Sequence, residues 1–219
     1  MHHRFFGLIA FGLVILASSL GNLHSQPLAP IAIAAEPTRV VYLPIIVREG
    51  ALGCTTTQLI QDTSFEAGEP NPYWQVSSNT SSSILDNSTI PPPKPTHTGT
   101  WKAWLGGNNS MQENLWQSFS LASSAFTLQV SFWWQVNTAE STPLVNDSLR
   151  IQLADSNGTV LQTLYTLYDG DVNLTWVQQT ILVSPLYTGQ TLRIVFLANT
   201  DESNPTSFFI DDVSVLACQ

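Results

Sequence analysis

Apolar and polar residues alternate strictly in several stretches of the chain. Every second residue is apolar in 126–136, and residues 149–153 and 192–198 repeat the pattern. A period of two predicts β-strands that cover a core on one face and meet solvent on the other. Asp155-Ser156-Asn157-Gly158 lies between two such stretches and is typical of a hairpin turn. We therefore expect an all-β domain of about ten strands, either a sandwich or a barrel.

The first 53 residues differ from this pattern. Residues 1–21 have a weakly basic start and an apolar run, which is typical of a secretory signal peptide cleaved at its end or as late as residue 34 or 35. The alternative is an uncleaved membrane anchor. Residues 22–53 contain several prolines and predict an extended tether, in which the β-prone segment 40–48 forms an extra edge strand or a docking peptide. We expect residues 54–219 to form one secreted or cell-surface domain, with no membrane insertion after leader cleavage.

The chain is acidic. It has 7 Lys and Arg against 16 Asp and Glu, a formal net charge of −9 at pH 7. Only Arg4 of these lies in the predicted leader, so the exported part carries 6 basic and 16 acidic residues, a net charge of −10. Such a balance repels phosphate backbones, which argues against nucleic acid and anionic membranes as partners.

The two cysteines, Cys54 and Cys218, stand near the two ends of the predicted domain. In an oxidising compartment the simplest interpretation is one disulfide that joins these ends. The alternative is a pair of free thiols, since a disulfide requires Cα atoms within about 7 Å of each other.

A set of landmarks follows in one order through residues 54–218. They are Phe65-Glu66, Trp74, His97-Thr98-Gly99-Thr100-Trp101, the strand Leu128–Trp134, Trp176, Arg193–Phe196 and Phe208–Val215. This ordered set resembles the MAM domain and the related bacterial jelly-roll modules that include carbohydrate-binding modules. The resemblance implies a two-sheet antiparallel jelly roll, a disulfide between its ends, often a structural cation, and an adhesive or sugar-binding role. MAM domains usually carry more cysteines, so this chain is more similar to the bacterial relatives.

The last landmark contains two adjacent carboxylates. If the final strand keeps a period of two, Asp211 shares a face with apolar residues such as Val213, where a carboxylate is costly unless it is paired or binds a cation. The resemblance places the first and last strands side by side, which brings Glu66 close, with Asp62 or Ser64 as further ligands. Oxygen ligands of this kind favour Ca²⁺ in a structural role. The alternative is that Asp211 accepts hydrogen bonds from turn amides or points to solvent.

Aromatic side chains are the second candidate feature. Trp133 lies on the polar face of its strand, Trp101 and Trp104 precede a Gly-rich turn, and Tyr73 stands beside a Pro-rich loop. Sugars bind to aromatic platforms with nearby hydrogen-bonding groups, because pyranose rings have apolar faces and polar rims. We therefore predict a glycan site at some of these four residues, the alternative for each being core packing.

Catalytic signatures are weak. His97 is the one histidine beyond the predicted tether, and the sequence has no Gly-X-Ser-X-Gly motif and no clustered zinc ligands. A glycosidase requires only two carboxylates, which the sequence leaves open. We predict a non-catalytic binding module whose partner is an extracellular glycan. The alternatives are a cell-envelope adhesion or structural protein that binds cell-surface proteins, and then a small glycan-acting hydrolase.

Overall fold

The computed structural model describes residues 54–88, 95–141, 145–173, 175–184 and 186–219. Within them are eleven β-strands: β1 Thr56–Gln58, β2 Gln75–Ser78, β3 Leu85–Asp86, β4 Lys102–Gly106, β5 Gln112–Ser120, β6 Thr127–Thr138, β7 Ser148–Asp155, β8 Val160–Tyr168, β9 Val177–Leu182, β10 Thr191–Asn199 and β11 Thr206–Cys218. In this described part of the chain no helix is long and apolar enough to cross a bilayer. The predicted leader 1–21 and tether 22–53, with its segment 40–48, lie outside the described residues.

The strands form two antiparallel sheets. Sheet A has the order β3-β4-β11-β6-β9, with β1 added to the end of β11, and sheet B has the order β2-β5-β10-β7-β8. The prediction of an all-β, two-sheet antiparallel jelly-roll sandwich of about ten strands is confirmed.

The core lies between the two sheets and follows the alternation of the sequence. On β6 the buried side chains are Leu128, Val130, Phe132, Trp134 and Val136, and on β10 they are Leu192, Ile194, Phe196 and Ala198. Phe132 meets Phe196 edge-on, with ring centroids 5.8 Å apart. Such contacts across the sandwich fix which face of each strand points outward.

The last strand does not keep a period of two. A bulge separates Asp211 from Ser214 in the pairing of β11 with β6, and Asp212 has a φ of 45°. The extra residue moves the side chains that follow to the other face. Val213 therefore points into the core, while Asp211 pairs with Trp133 on the outer face of sheet A. The predicted placement of Asp211 beside Val213 is wrong for this reason.

The two ends of the domain are joined. Cys54 and Cys218 form a disulfide, with Cα atoms 5.4 Å apart. Beside it Thr56 of β1 pairs with Cys218, and the N–H of Thr55 donates to the carbonyl of Gln219. The predicted disulfide is confirmed, and the alternative of two free thiols is wrong.

Candidate functional site

The outer face of sheet A carries Trp133, but a loop covers it. The imidazole of His97 stacks on the Trp133 indole, with ring centroids 3.9 Å apart and planes 16° from parallel. Trp176 meets His97 edge-on and donates its Nε1–H to the carbonyl of Pro95. One face of the Trp133 indole is therefore occupied by the protein's own loop.

Asp211 holds this loop in place. Its Oδ2 accepts hydrogen bonds from the backbone N–H of His97 at 2.8 Å and of Thr98 at 3.2 Å, and its Oδ1 accepts one from Asp212 N–H at 2.8 Å. The carboxyl is fully buried, and this burial, together with the negative charge of Asp212, raises the pKa of Asp211 to about 7. Hydrogen bonds from backbone amides to Asp211 were the predicted alternative to a calcium ion, and these three contacts are of that kind.

The other predicted cation ligands are also engaged in loops. Burial alone would raise the pKa of Glu66, but hydrogen bonds from the backbone N–H groups of Trp101 and Thr100 lower it on balance. Asp62 accepts hydrogen bonds from Ala67 N–H and from an Asn side chain in its own loop, whereas Ser64 is half-buried. In the described ranges, no group of three or more His, Cys, Asp or Glu side chains is arranged to hold a metal ion.

The remaining predicted aromatic residues do not join Trp133 in one platform. Trp104 is half-buried and packs against Phe209, with ring centroids 5.9 Å apart. Trp101 packs partly on the core and closely against Gly68, where a Cβ atom would lie 2.9 Å from the indole. Tyr73 is exposed and lies near the edge of sheet B, in a depression that it shares with residues of β2 and β5. The glycan-binding role of all four stays a prediction.

The outer face of sheet B carries a second aromatic surface. Its central strands point eight polar, apolar and cationic side chains outward: Asn114, Trp116, Ser118, Arg193, Val195, Leu197, Arg150 and Gln152. On this face lies a depression of about 260 Å³, lined by Ser77, Asn114, Trp116, Gly158, Arg193 and Val195. We call it the Trp116 depression. Tyr73 is near it, because Gln75 and Ser118, which line the Tyr73 depression, pair with Trp116 and Arg193 in the sheet.

The β7–β8 turn holds Arg193 beside the indole. Its Nη2 donates to the carbonyl of Ser156 at 2.5 Å, and its guanidinium carbon lies 6.0 Å from the centroid of the Trp116 ring. The turn itself is fixed by Asp155, whose carboxylate accepts the backbone N–H groups of Asn157 and Thr159, both at 2.8 Å. The guanidinium is thus positioned by a rigid turn and by a cation–π contact.

Trp116 is a residue that the sequence analysis missed. The signal was present, because residues 112–120 alternate between buried side chains such as Leu115 and polar ones such as Asn114 and Ser118. A tryptophan on the polar face of an alternating strand lies outside the core, which makes it a candidate for a binding surface.

No protein-family model matches the chain. No curated protein matches it either. Among solved structures, TmCBM61 in complex with β-1,4-galactotriose is 19% identical, covers 73% of this chain and 97% of that one, and has a TM-score of 0.52. The chain shares the β-sandwich fold of that structure.

Two further structures are similar at lower scores. A family 16 carbohydrate-binding module is 21% identical over 72% of this chain and 98% of that one, with a TM-score of 0.43. The K3 adhesin domain of Lys-gingipain from Porphyromonas gingivalis is 16% identical over 73% and 97%, with a TM-score of 0.46. The resemblance to MAM domains in particular stays a prediction.

Proposed function

We propose that this chain is a non-catalytic carbohydrate-binding module, secreted or held at the cell surface, that binds an extracellular glycan in the Trp116 depression. The observation that carries the proposal is the half-buried indole of Trp116, which lies on a rigid sheet beside an amide, a hydroxyl and a guanidinium. The apolar face of a sugar ring packs on such an indole, while its hydroxyls bond to Asn114, Ser77 and Arg193.

The rigidity of the platform supports a binding role. Trp116 pairs with Gln75 on one side and with Val195 on the other, so its backbone is fixed in the middle of three strands. A surface that is already ordered loses little conformational entropy when it binds. The side chains that line the depression are an indole, an amide, a hydroxyl, a guanidinium and an aliphatic group, which can bind a sugar. The two carboxylates with which glycosidases cleave sugars are not among these lining residues.

Export is supported by two features of the chain. The sequence of residues 1–21 predicts a signal peptide, a segment that directs a protein out of the cytoplasm. The Cys54–Cys218 disulfide is the kind of bond that persists in oxidising compartments. Both features agree with a ligand outside the cell.

The test is a glycan array with three forms of the purified protein: wild type, Trp116→Ala and Trp133→Ala. We expect wild type and Trp133→Ala to bind the same set of glycans, and Trp116→Ala to lose them, because the loss of an aromatic platform weakens binding by about tenfold or more. Loss of binding in Trp133→Ala alone would move the site to sheet A. A blank array from folded protein would favour the alternative of a protein partner.

We also propose a structural calcium ion near Asp211 and Glu66. The support is a fully buried carboxylate at Asp211, next to Asp212, whose negative charge also acts on Glu66. Carboxylate oxygens are the ligands that Ca²⁺ prefers, and a bound ion would have to replace the amide hydrogen bonds that Asp211 and Glu66 now accept. We expect a chelator to lower the melting temperature of wild type but not of Asp211→Ala, and an unchanged wild-type melting temperature would refute calcium binding.

A further inference from the structure

The outer face of sheet B differs in charge from the rest of this acidic protein. Three cationic side chains belong to the described residues, and one of them, Lys102, is buried and paired with Asp86 at 2.6 Å. The other two, Arg150 and Arg193, both lie on the outer face of sheet B. Neither arginine forms an ion pair with another described residue.

Carboxylates are kept off the same face. The five strands of sheet B, all within the described ranges, contain only two acidic residues. Glu113 is buried and bonded to the N–H of Gly106 and the hydroxyl of Ser78, and Asp155 is engaged by its own turn. The acidic side chains of the described core strands of sheet A, Asp86, Asp211 and Asp212, are on the other side of the sandwich. The central strands of sheet B therefore present two arginines and no carboxylate on the outer face.

Resting on the proposed function, we infer that the glycan bound in the Trp116 depression is anionic, and that Arg193 and Arg150 bind its carboxylate or sulfate groups. A guanidinium binds such groups with two parallel hydrogen bonds. Arg193 is prepared for this contact, because only its Nη2 is used by the Ser156 carbonyl and its Nη1 is free of hydrogen bonds to other described residues. A ligand carboxylate at Nη1 would lie beside the indole that carries the sugar ring.

The spacing of the two arginines indicates an oligosaccharide. Arg150 pairs with Leu197, which lies four residues beyond Arg193 on β10. At a strand rise of about 3.4 Å per residue, the two positions are about 14 Å apart. Val195 and Gln152 lie between them and Trp116 lies beside Val195, so a chain of a few sugars can contact both cations across one continuous surface.

Because the whole chain is acidic, we expect it to attract an anionic glycan only at the outer face of sheet B. With a net charge of −9, the protein repels a polyanion that extends beyond the face. An oligosaccharide places its charges on the face alone, whereas a nucleic acid carries a charge about every 1.7 Å along its whole length. The protein can therefore repel nucleic acid and still bind an acidic oligosaccharide on the outer face of sheet B.

The test compares matched ligands by titration calorimetry. The first pair is a galacturonic acid trimer and its methyl ester, and the second is a sulfated and an unsulfated galactan oligosaccharide. We expect at least one acidic member to bind about tenfold or more tightly than its neutral counterpart, the contribution of one charge-assisted hydrogen bond. The pair that shows the difference identifies carboxylate or sulfate as the group bound.

The variants are Arg193→Gln and Arg150→Gln, with Trp133→Ala as the control on the other sheet. Each arginine variant should reduce the preference for the acidic ligand over its neutral counterpart, and Trp133→Ala should keep the full difference. Arg150 is exposed and makes no side-chain hydrogen bond to another described residue, so its replacement leaves the fold intact. Equal binding of acidic and neutral ligands, lost in Trp116→Ala, would overturn this inference and keep the proposed function. Binding of neither pair would overturn this inference, and the glycan array then decides the proposed function separately.

Discussion

The buried carboxyl of Asp211 should make the free energy of unfolding depend on pH. Its carboxyl is fully buried, and burial together with the charge of Asp212 raises its pKa to about 7. An Asp in the unfolded chain has a pKa of about 4. Between these values the folded state keeps a proton that the unfolded state has released, so stability falls as the pH rises. Since one pKa unit is about 1.4 kcal/mol, the free energy of unfolding should fall by about 4 kcal/mol from about pH 4 to about pH 7.

The assay is urea unfolding of wild type and Asp211→Asn across this pH range, with a chelator present. The variant keeps the size of the side chain and removes the titrating group, so it should lack the fall that Asp211 causes. The difference between the two curves is the quantity to compare, because burial also raises the pKa of Glu113 and of Asp147, and both titrate in the two proteins alike. Parallel curves would show that Asp211 is ionised in the folded state across this range, which contradicts a raised pKa for its carboxyl.

Two further predictions concern the ends of the domain and the loop over sheet A. Reduction of the Cys54–Cys218 disulfide should lower the free energy of unfolding by about 5 kcal/mol in the chain-entropy model, because the bond spans a sequence separation of 164. A melting temperature that reductant leaves unchanged would contradict this prediction. Gly99→Ala should destabilise the domain more than Gly189→Ala, although both glycines have positive φ. A Cβ at Gly99 would lie 2.2 Å from Glu66 Oε1, whereas one at Gly189 would lie 3.7 Å from Ser123 Cβ, the nearest atom outside its chain neighbours. Equal melting temperatures for the two variants would argue against the contact between Gly99 and Glu66.

The strands that line the core could be predicted from the sequence, because burial on one face imposes an alternating pattern on their residues. β6 and β10 are buried on one face and polar on the other, so burial imposes a period of two directly on their residues. The last strand shows the limit of that argument. Its bulge after Asp211 shifts the faces by one residue, and the sequence marks the positive φ of Asp212 only weakly, because Asp adopts such a φ more often than most residues but much less often than glycine.

The candidate site was harder to predict, because pairing between distant strands creates it. Trp116 and Arg193 are far apart in sequence and meet only because β5 lies next to β10. Trp133 was chosen for its polar-face position, which the structure confirms, but the loop that places His97 on its indole could not be foreseen from strand periodicity. Alternation indicates which side chains leave the core, whereas sheet order decides which of them stand together.

Glycan binding at Trp116 is decided by the affinity of wild type, Trp116→Ala and Trp133→Ala for the glycans that wild type binds on an array. The account predicts that Trp116→Ala loses at least about tenfold in affinity while its melting temperature stays close to that of wild type, because the half-exposed indole is outside the core. Trp133→Ala should bind as wild type does. Undiminished binding by folded Trp116→Ala would contradict the account and place the ligand elsewhere on the sandwich.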